Sequence, residues 1–235
     1  MIILNNKERI VNEIKSAENL VFLTGAGVST LSGIPDYRSK NGIYSQFKER
    51  PEYLLSHEAM INEPAKFYRF MKMMYYPDAK PNLIHKKLAL IERHQNSAII
   101  TQNIDGLHQQ AGAKKVIAFH GSLYNVYCRK CGATVPYQVY LESAIHQKCD
   151  GQLRPDIVLY GEGIKQGVVD SAMRLMQNAT TVVVLGTSFV VYPFASLANA
   201  AKPNTQFIVI NEQQVELPFE HLAYIGNAKD IMIEL

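Results

Sequence analysis

Four residues have the chemistry and the spacing of a metal site. Cys128 and Cys131 form one C-x-x-C pair; His146 and Cys149 form a second, with Cys149 lying 18 residues after Cys131. Three thiolates and one imidazole satisfy a tetrahedral zinc ion. Four protein ligands leave no open position, so such a zinc is structural and holds its segment together. Three cysteines is an odd number, which argues for reduced thiols rather than a disulfide framework.

Further polar groups recur directly after short apolar runs. Gly25-Ala26-Gly27-Val28-Ser29-Thr30 follows Leu20 to Leu23, and glycines there let a backbone approach a phosphate. Thr30 stands where the dinucleotide fingerprint of dehydrogenases has its third glycine, and no strand ending in an acid follows roughly 20 residues on. An ordinary hydride-transfer site is therefore not expected, although a dinucleotide site is. Thr101-Gln102-Asn103-Ile104-Asp105-Gly106-Leu107-His108 follows Ala98 to Ile100. Its amides and carboxylate suit sugar hydroxyls or a carboxamide; Asn and Asp are equally the residues of turns and helix caps. His120-Gly121 follows Val116 to Phe119 and offers an imidazole that titrates near neutrality. Gly186-Thr187-Ser188, after Thr181 to Leu185, offers amides and hydroxyls to phosphate, and Asn211-Glu212, after Phe207 to Ile210, offers acceptors to a ribose.

The apolar runs are what must position these groups. They are short and continuous, as buried strands are, and a sixth is expected at Ile157 to Tyr160. Helical spacing occupies Asn6 to Glu18, Asn82 to Arg93, Val168 to Asn178 and Pro193 to Ala201. Alternation of this kind implies an α/β fold: a Rossmann-like parallel sheet with helices on both faces. Ligands of such sheets bind beyond the carboxyl ends of the strands, where the polar groups fall. Two stretches break the alternation. Ile34 to Asp78 carries four prolines and reads as a loop followed by short helices; Tyr124 to Pro155 holds all three cysteines. The two are expected to pack together as a smaller lobe, a helical insert with a zinc-ribbon insert.

Composition excludes several classes. The 235 residues are 47% hydrophobic and 19% charged, as in a globular protein. A net charge of +3 gives no electrostatic case for nucleic acid. No apolar run approaches the ~18 residues of a membrane span, and the N-terminus lacks a signal-peptide pattern, so a cytoplasmic protein is expected.

Taken together, and in order along nearly the whole chain, these motifs resemble the sirtuin family of NAD-dependent protein deacylases. Gly25 to Ser29 with Ser32-Gly33-Ile34-Pro35-Asp36-Tyr37-Arg38 is similar to its first motif, and Thr101 to His108 to its second. Phe119-His120-Gly121-Ser122 is similar to the segment with the catalytic histidine, and Arg154 to Glu162 to the segment that pairs with the substrate peptide. Tyr37 replaces the usual phenylalanine, and His146 replaces a cysteine.

The resemblance implies one catalytic domain over 1–235, with a large lobe of 1–33, 79–123 and 156–235 and a small lobe of 34–78 and 124–155. It implies His120 and Asn103 as catalytic residues. Gly25, Ala26, Thr30, Asp36, Tyr37, Arg38, Gln102, Ile104, Asp105, Gly186, Thr187, Ser188, Asn211 and Glu212 would bind NAD. Val158, Leu159, Tyr160, Gly161 and Glu162 would pair with an acyl-lysine peptide, and Cys128, Cys131, His146 and Cys149 would hold zinc. The implied reaction moves the acyl group from lysine to ADP-ribose with release of nicotinamide; His120 is the general base, and Tyr37 shields the reacting centre from water. Members that remove acidic acyl groups carry a Tyr-x-x-Arg pair; here Met71 stands in the arginine's place after Tyr68, so a pocket lined by Met71 is expected to prefer neutral acyl groups over succinyl. Mono-ADP-ribosyl transfer, a nucleic-acid-binding zinc ribbon and a non-catalytic NAD sensor are the alternative readings.

Overall fold

The structure, a computed structural model, describes residues 4–36 and 49–235. In chain order its elements are α1 (Leu4–Ser16), β1 (Leu20–Thr24), α2 (Pro51–Leu54), α3 (His57–Asn62), α4 (Pro64–Met73), α5 (Leu83–His94), β2 (Ser97–Thr101), α6 (Leu107–Gln110), β3 (Val116–Ala118), β4 (Gly121–Cys128), β5 (Thr134–Val135), α7 (Tyr137–Glu142), β6 (Ile145–His146), β7 (Gly151–Ile157), α8 (Gln166–Asn178), β8 (Thr181–Leu185), β9 (Gln206–Asn211), β10 (His221–Ile225) and α9 (Lys229–Met232).

Six strands form one parallel sheet in the order β10-β9-β8-β1-β2-β3. Every residue of β1, β2 and β8 is buried, as a strand covered on both faces must be. Alternate residues of β1 serve opposite cores: Leu20 and Phe22 join Ile10, Leu88 and Met232 from α1, α5 and α9, while Val21 and Leu23 join Ala172 and Met176 of α8 and Phe194. Asn82 caps α5 by accepting from the Ile84 and His85 amides, and the His85 ring accepts from the Asn82 amide in return. The chain runs outward from β1 to β3, then crosses to β8 and runs outward the other way. The order therefore reverses between β1 and β8, and a crevice opens beyond their carboxyl ends.

A second, antiparallel sheet has the order β5-β4-β7-β6. Its core is shared with the first insert: Leu54, Met60, Phe67, Phe70 and Met71 pack with Leu123, Val126, Tyr140 and Leu153.

Three expectations need correction. The strand placed at Ile157 to Tyr160 is β7, which ends at Ile157 and belongs to the small sheet, where Gly121 opposes Ile157. Its residues Gly-Gln-Leu-Arg-Pro-Asp-Ile do not read as a strand; Pro155 is accommodated opposite Val126, beside a register shift. The sixth strand of the parallel sheet is β10 instead, a half-buried edge strand whose short run Leu222-Ala223-Tyr224-Ile225 was not among the expected strands. The segment Phe194–Ala200 is a 3-10 helix rather than an α-helix.

Candidate functional site

The floor of the crevice is two loops packed backbone to backbone. The Gly25 amide donates to the Leu185 carbonyl at 3.2 Å and the Gly27 amide to the Gly186 carbonyl at 2.8 Å. A Cβ on Gly27 would stand 2.8 Å from the Gly186 oxygen and 2.9 Å from its Cα, so only glycine permits this approach. Above the floor lies a cleft of about 450 Å³. Ala26, Thr30 and Asp36 line it after β1, Gln102, Asn103 and Ile104 after β2, His120 after β3, Gly186, Thr187 and Ser188 after β8, and Asn211 and Glu212 after β9. Val158, Leu159, Tyr160, Gly161 and Glu162 line it from the small-lobe side.

Two residues expected at the cofactor are not on the cleft wall itself but directly adjoin it. Gly25 packs behind the cleft, against Thr187. Asp105 lines a separate recess of about 20 Å³ with Ser29 and Tyr124, and Asn103 reaches both spaces. Tyr37 and Arg38 lie outside the described residues.

Behind Asn103 is a closed polar network. Asn103 Nδ2 donates to the Gly25 carbonyl at 3.0 Å and to Ser29 Oγ at 3.1 Å; Ser29 Oγ donates to Asp105 Oδ2 at 2.7 Å. Asp105 Oδ1 accepts from the Leu107 amide at 2.9 Å, capping α6. Burial pushes the Asp105 carboxyl up, and the bonds from Leu107 and Ser29 partly offset this. His85 Nε2 lies 3.4 Å from Ser29 Oγ, and His108 Nε2 lies 3.0 Å from Thr24 Oγ1. Burial drives both imidazoles down, His85 to about 4 and His108 to about 3, so both are neutral near pH 7.

His120 follows β3 and is held from two sides. Its carbonyl accepts from the Val158 amide at 3.0 Å, and its ring lies edge-on to Phe119. Burial lowers its pKa, and the Gln102 backbone only partly compensates. The ring is therefore neutral near pH 7 and able to accept a proton. Gly121 must follow it. Its φ is 81°, and a Cβ there would fall 2.0 Å from the Asp156 oxygen, where the chain turns into β4.

The four metal-type residues converge. Their ligand atoms all lie within 4.8 Å of one another, with Cys128 Sγ 3.4 Å from Cys149 Sγ and His146 Nδ1 3.4 Å and 3.3 Å from the thiols of Cys131 and Cys149. Burial raises the Cys128 thiol, but the amides of Cys131 and Lys130 and the neighbouring thiols outweigh it and bring it down to about 6. Three thiols and one imidazole this close together match the four ligands of a tetrahedral zinc, so the donor set fits one structural zinc.

Residues 25–193 match the model of the Sir2 family. The chain belongs to the Sir2 family. It is 49% identical over 223 residues to an NAD-dependent protein deacetylase of Listeria monocytogenes serotype 4b, covering 94% of this chain and 97% of that one. Among solved structures it is similar to Sir2 with a deacetylated p53 peptide and 3'-O-acetyl ADP-ribose, at a TM-score of 0.87 and 34% identity over 97% of this chain and 96% of that one. It is also similar to Sir2 with a p53 peptide and NAD+, at a TM-score of 0.84 and 33% identity, covering 96% and 95%.

Within this Sir2 fold the place expected for Met71 is wrong. Met71 is fully buried in the small-lobe core beside Met60 and Phe70, and the cleft does not reach it. Tyr68 is likewise turned to the insert, donating to the Leu141 carbonyl at 3.2 Å. Sequence reasoning also missed lining residues: Leu31 and Leu55, Val191 to Pro193, and Gly226 to Ala228. The last group follows β10 and obeys the strand-end rule; only the strand itself went unrecognised.

Proposed function

We propose that the chain is an NAD-dependent protein-lysine deacetylase, with the deacetylated lysine, nicotinamide and acylated ADP-ribose as products and one water consumed. The observation that carries this reading is one cleft lined by a neutral imidazole, a strand-end amide, two glycine loops and an extended segment. NAD supplies a glycosidic bond to a good leaving group and a ribose hydroxyl that accepts the acyl group. Thr187 and Ser188 offer amides and hydroxyls to its phosphates, Gly186 supplying the close turn while its own amide bonds the Ile210 carbonyl, with Ala26 and Thr30 opposite, and Asn211 and Glu212 accept from a ribose. Asn103, pinned by Gly25 and Ser29, orients the nicotinamide end, and Asp105 holds Ser29 from the recess behind. Positioning must supply much of the rate, because an amide oxygen is a weak nucleophile. His120 takes the proton of the ribose hydroxyl. Val158 to Tyr160 reads peptide main chain by strand addition, which leaves sequence preference loose.

Neutral acyl groups are preferred over succinyl. The support is no longer Met71 but the cleft wall: among the described residues it carries Asp36, Glu162 and Glu212 and no lysine or arginine. A succinyl carboxylate would be desolvated there without a cation. Succinyl-lysine peptide is expected to turn over at least ~10-fold more slowly in kcat/KM than acetyl-lysine peptide, and equal rates would contradict this.

The test of the function is mass spectrometry of an acetyl-lysine peptide incubated with the protein and NAD. Loss of the acetyl group in step with nicotinamide release is the expected result. Gain of ADP-ribose on the peptide, or nicotinamide released without deacetylation, would overturn it.

A further inference from the structure

The segment that reads the peptide is folded around a single cation. Arg154 is buried on β7. Its Nη1 donates to Glu162 Oε1 at 2.6 Å and its Nη2 to Glu162 Oε2 at 3.0 Å, a bidentate pair. Nη2 also donates to the Ile157 carbonyl at 2.7 Å and Nε to the Pro155 carbonyl at 3.3 Å. Glu162 Oε2 in turn accepts from the Leu159 amide at 3.0 Å. Among the described residues, the guanidinium's hydrogen-bond partners thus lie within 155–162, while its face lies over the Tyr127 ring, and the same stretch lines the cleft from Ile157 to Glu162.

The stretch is tied at both ends to other parts of the site. The Val158 amide bonds the His120 carbonyl, while the Tyr160 amide donates to the Leu55 carbonyl at 2.8 Å and the His57 amide to the Tyr160 carbonyl at 2.9 Å. The Val158 carbonyl and the Gly161 amide bond no backbone group among the described residues. A buried ion pair is weak evidence for stability, since a well-packed apolar pair does as well; what it fixes is geometry. Here the geometry fixed is that of the substrate-reading main chain.

We propose that Arg154 is a positioning residue for peptide recognition. Through Glu162 it holds 157–162 in the one conformation that leaves the Val158 carbonyl and the Gly161 amide free for an acyl-lysine peptide. This rests on the deacetylase reading, and the experiment separates the two. Arg154→Lys keeps the charge but has too few donors for four acceptors. Arg154→Met/Glu162→Gln removes both charges and leaves none buried alone. Each is compared with wild type by melting temperature, by KM for NAD and for acetyl-lysine peptide, and by calorimetric binding of that peptide, which needs no turnover.

The expected result is a rise of roughly tenfold or more in peptide KM and Kd with less than a twofold change in KM for NAD. The double variant is expected to melt near wild type and still bind peptide weakly. Wild-type peptide binding in the double variant, or equal weakening for peptide and NAD, would show that the pair only holds the fold and would overturn the inference. Wild type that binds peptide, with binding lost in the variants, but deacetylates nothing would overturn the deacetylase reading and leave the inference standing. Wild type that binds no peptide would overturn both.

Discussion

In the parallel sheet the loops of the cleft are fixed by backbone against backbone, as where Gly27 meets Gly186. In the small lobe the fixings are polar: four metal-type ligands at one end of β7 and the Arg154–Glu162 pair at the other. The sheet is covered by a buried apolar core on each face; the small antiparallel sheet has two strands of two residues each and one core, shared with the first insert. A region with a large core can hold a loop by shape alone. A region with one core and edge strands of two residues relies on its metal as well, and becomes sensitive to what removes it.

The largest consequence concerns the metal. Structural zinc contributes of order 10 kcal/mol to folding in small metal domains. Chelation, or Cys131→Ser, is expected to abolish amide-exchange protection across β4 to β7 while β1, β2 and β8 keep theirs. Equal loss in both regions would erase the contrast.

The converse experiment acts on the sheet. Gly27→Ala is expected to lower stability by ~1–3 kcal/mol and weaken NAD binding, because the new methyl meets Gly186 backbone that cannot yield. Gly167→Ala, on α8 with nothing within 4 Å, is its control and is expected to change stability by less than ~1 kcal/mol. Denaturant melts and NAD titrations read both; a neutral Gly27→Ala would break the account of the floor.

Near neutral pH the smallest effect is that of pH itself, and it grows as the solution is acidified. His85 and His108 are buried beneath the sheet's carboxyl edge with folded values of about 4 and about 3, against 6.5 for the free imidazole. Between those limits the unfolded chain binds more protons, so stability is complete above pH 6.5 and falls as pH drops through the window. Each histidine contributes a slope of at most ~1.4 kcal/mol per pH unit. His108→Gln is expected to remove one proton from the uptake measured on unfolding at pH 5.5; an unchanged uptake would contradict the assignment.

How much was legible in advance follows the same division. Leu20 to Leu23 and Thr181 to Leu185 are continuous apolar runs because both their faces are covered, so the groups after them could be found. β10 has the run Leu222 to Ile225, but it lies half exposed at the sheet edge among polar loop residues and was passed over, and Gly226 to Ala228 were lost with it. β7 hides its strand behind Arg154, Pro155 and Asp156, which break the apolar pattern of a buried strand. The metal ligands were legible because their chemistry needs fixed residue types at fixed spacing. Met71 was misplaced because helical periodicity does not say which side of α4 meets the core and which the cleft.

The central claim is that His120, neutral by burial, serves as the base for acyl transfer in this cleft. It is tested most directly by His120→Ala assayed with acetyl-lysine peptide and NAD, alongside the wild-type rate as a function of pH. The account predicts a loss of ~100-fold or more in deacetylation with an unchanged melting temperature. It also predicts a wild-type rate that rises with pH through an inflection below 6.5, because His120 is pushed under that value. Deacetylation retained by His120→Ala, or an inflection above 6.5, would contradict it.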